Sequence, residues 1–308
     1  MRMAAVRWAT LVAVLAMVVA GCASAPAAAA PAPSAPTNRT VTLASSAGPR
    51  NAIVHRPNGL PDNSPLVVVI HGAYGSAEQM RSSLGWDALA DKDGFEVAYP
   101  NGFGKFWNAG YCCGIAHSRK VDDVGFLHGL VEHLVVQDGV DPHRVYAVGM
   151  SNGAMMTYAW ACARPEDLAG IGPVAGALVA PCQPAPAITV VAVHGTADRN
   201  VPINGGVGPR SVSHYPYPSL ATSLAPFVAA DGCGPMPKVV DRQPVRISTW
   251  TCAGERNVTL AVITGLGHDW PGSRPTSATN AIKRVVRPAA PLDATTFLWS
   301  HLRSSMLS

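Results

Sequence analysis

The apolar positions of this chain fall into short unbroken runs, separated by stretches with helical spacing. PLVVVIHG (65–72), ITVVAVHG (188–195) and NVTLAVITG (257–265) are β-branched and apolar at nearly every position. A strand with one face in water alternates apolar and polar residues. A continuous run predicts a strand buried on both faces. FEVAYPNG (95–102) and RVYAVGM (144–150) have the same character. VDDVGFLHGLVEHLVVQDG (121–139) spaces its apolar residues three and four apart, with acidic residues in its first turn. That pattern predicts a helix whose positive N-terminal end faces carboxylates. NGAMMTYAWACA (152–163) and DATTFLWSHLRSS (293–305) predict two further helices. Nearer the start, TVTLASS and NAIVHRP predict two short strands joined by a turn at Ala47-Gly48-Pro49. Apolar strands alternating with helices predict an α/β fold, with a mainly parallel sheet covered on both faces. Residues 203–255 are less regular and rich in Pro and Gly. They predict a connection elaborated around the sheet edge, not a separate domain.

The first residues follow another logic. Arg2 and Arg7 precede WATLVAVLAMVVA, an apolar run of signal-peptide length, too short to span a bilayer comfortably. It ends in VAGC, the form of a bacterial lipobox, which makes Cys22 the candidate lipidated residue. ASAPAAAAPAPSAP (23–36) holds only Ala, Ser and Pro and predicts a tether without a core. The expected organisation is a signal peptide over 1–21, a lipid-bearing tether over 22–38 and one domain over 39–308. Its destination is export, anchored by lipid at the outer face of the cell membrane or secreted.

Composition refines this picture. The chain is 48% hydrophobic and only 14% charged, with a net charge of +4 that includes Arg2 and Arg7. No basic run interleaved with aromatics points to nucleic acid. Seven cysteines less Cys22 leave six, an even number that suits disulfides in an exported protein. Cys233 and Cys252 bracket a stretch that reads as a strand pair and are the favoured bridge. The adjacent Cys112 and Cys113 are expected to bond to different partners, with Cys162 and Cys182 also unassigned. No cysteine and histidine spacing matches a zinc site.

The candidate chemistry starts at GMSNG (149–153), which matches G-x-S-x-G. Ser151 lies where a predicted strand meets a predicted helix, the turn that exposes a nucleophilic hydroxyl above a sheet. The alternative is a serine that merely caps the helix. A serine needs a base. Of His194, His214, His268 and His301, only His268 hangs in the loop after an apolar strand, as GLGHDWPG, behind a credible acid. Asp198 in HGTADRNVPINGG is the favoured acid over Asp231, Asp241 and Asp269. It follows its strand closely and precedes the histidine, in the order Ser, acid, His. The oxyanion donors expected are the amide of Asn152 and that of Ala73, with Tyr74 in reserve. His71 is expected to shape that loop. Trp107, Trp270 and Tyr74 are candidate substrate contacts. Asp122 or Asp123 is expected to cap the helix that follows.

Several of these segments together carry a resemblance: HGAYGSA, WNAGYCCG with VDDVGF, DPHRVYAVGMSNGAMMTYAWACARPE, GPVAGAL, HGTADRNVPINGG and GLGHDWPG. In this order they resemble the poly(3-hydroxybutyrate) depolymerase-like esterases, alongside the feruloyl and acetylxylan esterases of the α/β-hydrolase superfamily. With the lipobox, the chain is similar to the LpqC-type lipoprotein esterases. The resemblance implies an α/β-hydrolase domain acting on carboxylic esters, with Ser151, Asp198 and His268 as triad. It implies no metal or organic cofactor, and an ester of a hydroxyacid oligomer, a feruloyl or acetyl saccharide or a short acyl group as partner. Ala154 and Asp269 depart from the family's usual residues without removing a catalytic atom. Rival readings are a cell-envelope acyltransferase using the same triad and a non-catalytic surface-binding lipoprotein.

Overall fold

The computed structural model describes residues 37–274 and 290–307. The expected signal peptide, Cys22 and the expected tether up to residue 36 lie outside the described residues.

Ten strands form one sheet in the order β1-β2-β4-β3-β5-β6-β7-β10-β9-β8. The first hairpin pairs β1 (Thr37–Leu43) with β2 (Arg50–Arg56), and β2 runs antiparallel to β4 (Glu96–Pro100). From β4 the sheet is parallel through β3 (Ser64–Ile70), β5 (Val140–Met150), β6 (Gly170–Val174), β7 (Thr189–Gly195) and β10 (Asn257–Ile263). It turns antiparallel again at β9 (Val245–Thr251) and β8 (Lys238–Arg242). The segment read as a sheet-edge connection therefore contributes the edge itself.

The unbroken apolar runs have the expected cause. Along β3, Leu66, Val68 and Ile70 enter the core on one face while Val67 and Val69 enter the core on the other. The first face is covered by α4 (Asp123–Asp138), α5 (Asn152–Ala163) and α6 (Leu220–Ala230). The second is covered by α1 (Ala77–Leu84), α2 (Trp86–Asp93) and α7 (Ala294–Leu302). A short helix, α3 (Gly114–Ser118), lies in the loop after β4. This is the α/β-hydrolase architecture predicted above.

Strand β6 escapes the sequence pattern because GIGPV has low strand propensity. Its glycines are there for packing. A Cβ on Gly170 would lie 2.8 Å from Leu302, and one on Gly172 would lie 2.8 Å from Val148 and 3.1 Å from Leu298. Glycine lets α7 seat against the sheet.

The disulfides are Cys112–Cys113, Cys162–Cys182 and Cys233–Cys252. The last is the expected bridge, which ties the end of α6 to the end of β9. The expectation that Cys112 and Cys113 take different partners is corrected: they bond to each other. Cys162 at the end of α5 is taken by Cys182, with Cα atoms 5.0 Å apart. No other thiol among the described residues remains for the adjacent pair.

Candidate active site

Strands β5, β7 and β10 are parallel, so their C-terminal ends open on one edge of the sheet. Ser151 follows β5, Asp198 lies three residues after β7, and His268 lies five residues after β10. Ligand sites of parallel sheets form at this edge.

Ser151 occupies φ 55° and ψ −120°, a conformation disfavoured for a residue with a side chain. Its N–H donates to Val174 O at 2.9 Å, which holds the turn down. A Cβ on Gly149 would sit 2.5 Å from the backbone of Gly153, and one on Gly153 would run into the carbonyls of Ile70 and His71. Only glycine fits on either side of this serine. Its side chain makes no cap hydrogen bond to α5, so the hydroxyl is not consumed by capping the helix.

Asp198 is buried and fully engaged. Its Oδ1 accepts from the N–H groups of Asn200 (2.8 Å) and Val201 (2.9 Å). Its Oδ2 accepts from His268 Nδ1 at 2.8 Å. Burial pushes this carboxyl up, but the His268 bond and charge and the two amides outweigh it. The carboxyl is held below its usual range. The loops that carry Asp198 and His268 are knitted together: Ala197 N–H donates to Leu266 O at 2.9 Å, and Gly265 N–H to Thr196 Oγ1 at 2.9 Å. His194, set aside above for want of an acid before it, is structural. Its Nε2–H donates to Val201 O at 2.8 Å, and the same nitrogen lies 3.5 Å from Asp198 Oδ2. Burial lowers its pKa, which keeps it neutral.

Ser151 opens into a narrow crevice that Ala73, Asn152, Cys113, Met155, Asn200, Val201, Val212 and Tyr217 also line. Asn200 and Val201 are the residues whose amides Asp198 holds, so the Asp198 loop forms one wall of the crevice beside Ser151. Of the two candidate oxyanion residues on the β3 loop, Tyr74 donates its N–H to Lys105 O at 2.9 Å. That amide is engaged, and Ala73 is the one beside the serine. Asn152 sits at the first position of α5, where a backbone N–H has no intrahelical acceptor.

The Asn152 side chain has a separate task. It accepts from Trp107 N–H at 2.8 Å and donates to Trp107 O at 3.0 Å. Trp107 Nε1 donates to His71 O at 2.9 Å. His71 Nε2 accepts from Gly102 N–H at 2.9 Å, so Nδ1 carries the proton and donates to Gly72 O at 2.7 Å. Burial lowers His71 to about 4, and the ring is neutral at ordinary pH. His71 thus shapes the loop as expected.

Trp107 and Trp270, expected to contact substrate, are buried at 0% and 1% exposure, and neither lines the crevice. Trp107 supports the β3 loop from beneath. Trp270 donates to Thr295 Oγ1 at 3.1 Å and packs against Trp86. Tyr74 does not line the crevice either: it is 65% exposed, with its ring edge-on to Phe106.

Sequence reasoning missed Arg50. Its guanidinium is buried, 2.6 Å from Asp123 Oδ1 and 3.9 Å over the Phe126 ring. Asp123 Oδ2 accepts from Asn108 N–H at 2.7 Å, so this buried pair fixes the residue beside Trp107. The cap of α4 is Asp122, which accepts from Gly125 N–H at 2.8 Å. An arginine at the start of β2, 73 residues before Asp123 in the chain, gave no signal of this role.

The sequence profile of the esterase PHB depolymerase family matches residues 51–233. The chain belongs to that family. It is 33% identical over 232 residues to NocK of Nocardia uniformis subsp. tsuyamanensis, assigned as an esterase, covering 69% of this chain and 67% of that protein. It is 30% identical over 233 residues to feruloyl esterase B of Piromyces equi, covering 71% of this chain and 42% of the relative. The chain thus spans about two thirds of the first relative's length and under half of the second's. Among solved structures, an acetyl xylan esterase from Aspergillus awamori superposes with a TM-score of 0.55 at 16% identity, over 80% of this chain and 98% of that one. At that identity the likeness speaks for the fold. The enzyme class, a carboxylic ester hydrolase, follows from the family.

Proposed function

We propose that the chain hydrolyses carboxylic esters with Ser151 as nucleophile, His268 as base and Asp198 as the acid that orients it. One observation carries this reading. The Asp198–His268 hydrogen bond joins the loops after β7 and β10, on the edge where the strained turn after β5 presents Ser151. With Asp198 on Nδ1, the histidine's Nε2 is the lone pair left for the serine proton. Ser151 Oγ attacks the carbonyl carbon as His268 takes its proton, and the amides of Asn152 and Ala73 receive the oxyanion. The imidazolium returns that proton to the leaving alkoxide, which departs as alcohol. Water, deprotonated by His268, then cleaves the acyl-enzyme, freeing the acid and Ser151. Every step uses groups of this chain and the substrate.

We read the substrate as an ester of a hydroxyacid oligomer, a feruloyl saccharide or an acetylated saccharide, a reading supported by the names of relatives that include a feruloyl esterase, a poly(3-hydroxyalkanoate) depolymerase and an acetylxylan esterase. We read the signal segment and Cys22 as export followed by lipid anchoring. The test is p-nitrophenyl acetate turnover, with Ser151→Ala as control. The variant is expected to lose roughly three or more orders of magnitude in kcat. A wild-type rate no higher than that of Ser151→Ala ends the esterase reading. Release of the acyl group to added alcohol in preference to water would favour the acyltransferase.

A further inference from the structure

The crevice beside Ser151 lies between two loops. One follows β4 and contributes Cys113. The other leads from β7 to α6 and contributes Val212 and Tyr217. This second loop is closed at its base by a reciprocal backbone pair, Gly206 N–H to Tyr217 O at 2.9 Å and Tyr217 N–H to Gly206 O at 3.0 Å. The Tyr217 hydroxyl accepts from Ser213 Oγ at 2.7 Å and lies 3.1 Å from Ser211 Oγ, so its ring is held in the crevice wall.

The two loops meet at Tyr111. Its hydroxyl donates to Pro216 O at 3.1 Å, one residue before Tyr217, and its ring meets that of Tyr215 edge-on at 6.2 Å. Its own N–H donates to Val179 O at 3.3 Å, which roots it in the body of the fold. With the loops joined in this way, the space left in the crevice is about 10 Å³. That is room for about one water-sized group, such as a methyl.

The crevice faces the acyl side of an ester. It is lined by Ser151 and by both residues assigned to the oxyanion, but not by His268. The leaving oxygen must lie against His268 to receive its proton. The group that enters the crevice is therefore what remains on the carbonyl carbon.

We propose that Tyr111 determines acyl-chain length. By latching the 206–217 loop across the crevice, it restricts the enzyme to acyl groups of about acetyl size, which narrows the substrate classes named above to the acetylated saccharides. Released, the loop takes Val212 away from the wall, together with Ser211 and Ser213, whose bonds hold the Tyr217 ring there, and opens an apolar slot floored by Met155 and Val201. This inference rests on the esterase reading above.

The experiment compares kcat/KM for p-nitrophenyl acetate, butyrate and octanoate in the wild type, Tyr111→Phe, Tyr111→Ala and Tyr217→Ala. The wild type is expected to fall steeply from acetate to octanoate. Tyr111→Ala is expected to raise the octanoate-to-acetate ratio about tenfold or more, the size of effect a pocket wall has on chain-length discrimination. Tyr111→Phe keeps the ring and loses the Pro216 bond, so its ratio falls between the two. Tyr217→Ala removes the wall itself and raises the ratio independently, which covers the case in which Tyr111→Ala does not fold. A wild type that takes octanoate as well as acetate overturns the proposal. So does an unchanged ratio in both Tyr111→Phe and Tyr217→Ala. A wild type that cleaves no ester above the Ser151→Ala level overturns the esterase reading, and this inference with it.

Discussion

Replacing Asp198 with asparagine isolates the acid's role from its packing. The two side chains have nearly the same shape. The Asn oxygen can keep both backbone bonds that Oδ1 now accepts, from Asn200 at 2.8 Å and Val201 at 2.9 Å. Its NH₂ then points at His268 Nδ1, 2.8 Å away, where Oδ2 now lies. A donor there forces the imidazole proton onto Nε2. The base then faces Ser151 with an N–H where it needs a lone pair. The imidazolium formed during attack also loses its counter-charge. For a triad acid these losses together cost about four orders of magnitude in kcat, or about 5.5 kcal/mol of transition-state stabilisation. The assay is kcat and KM on p-nitrophenyl acetate, with a thermal melt to confirm the fold. KM is expected to change little, because the acid touches no substrate. An Asp198→Asn enzyme within about tenfold of wild type, on an intact fold, would refute the tautomer argument.

Acid should destabilise the protein through His71. Its folded pKa of about 4 lies below its ordinary value of 6.5, so the unfolded chain binds the extra proton first. Stability is complete above about pH 6.5 and declines by roughly 3 kcal/mol as pH falls to about 4. Melting across that range should fall less steeply in His71→Gln, and an equal slope would contradict the burial account. Asn152→Ala strips two bonds from the buried Trp107 backbone. It should cost about 1–3 kcal/mol in denaturant unfolding and lower kcat more than it raises KM. Arg50→Met leaves Asp123 buried without its cation and should cost about 3–5 kcal/mol. The double variant Arg50→Met, Asp123→Leu should regain part of that loss, and no recovery would show that the pair is not the source. In a bacterial host that processes lipoproteins, Cys22→Ser should abolish incorporation of labelled palmitate. Continued labelling would place the anchor elsewhere.

How much of this was legible depended on whether function follows chain order or contact in space. The residues of the proposed triad were picked out because each sits at a fixed offset from a strong strand signal. RVYAVGM, ITVVAVHG and NVTLAVITG announce their own ends, and Ser151, Asp198 and His268 follow those ends. The supports beneath them were not readable. Arg50 lies far from Asp123 in sequence, and nothing near it marks a buried charge. Asn152 was legible as an amide donor but not as the side chain that clamps Trp107. The two tryptophans look alike as candidate pocket walls in sequence, and only burial separates a scaffold ring from a substrate contact. Helix α6 was hidden by Pro226 within it, although Ser219 accepts from Thr222 N–H and caps its start. Strand β6 was hidden by glycines that serve packing. The Cys112–Cys113 bridge lay beyond reasoning by spacing, since connectivity depends on which thiols the fold leaves over.

The β8–β9 hairpin extends the sheet to an outer strand whose five residues are all exposed. Such a border presents unpaired peptide groups to any other chain that can lie alongside it. Here the strand is KVVDR, so Lys238, Asp241 and Arg242 take three of its five positions, leaving Val239 and Val240 as its apolar pair. An approaching β-segment would have to strip water from those charges to complete the ladder. The Cys233–Cys252 bridge limits how far the hairpin can peel away. The feature that widens the sheet therefore also makes its end a poor template for self-association, a safeguard against aggregation when many copies are crowded together.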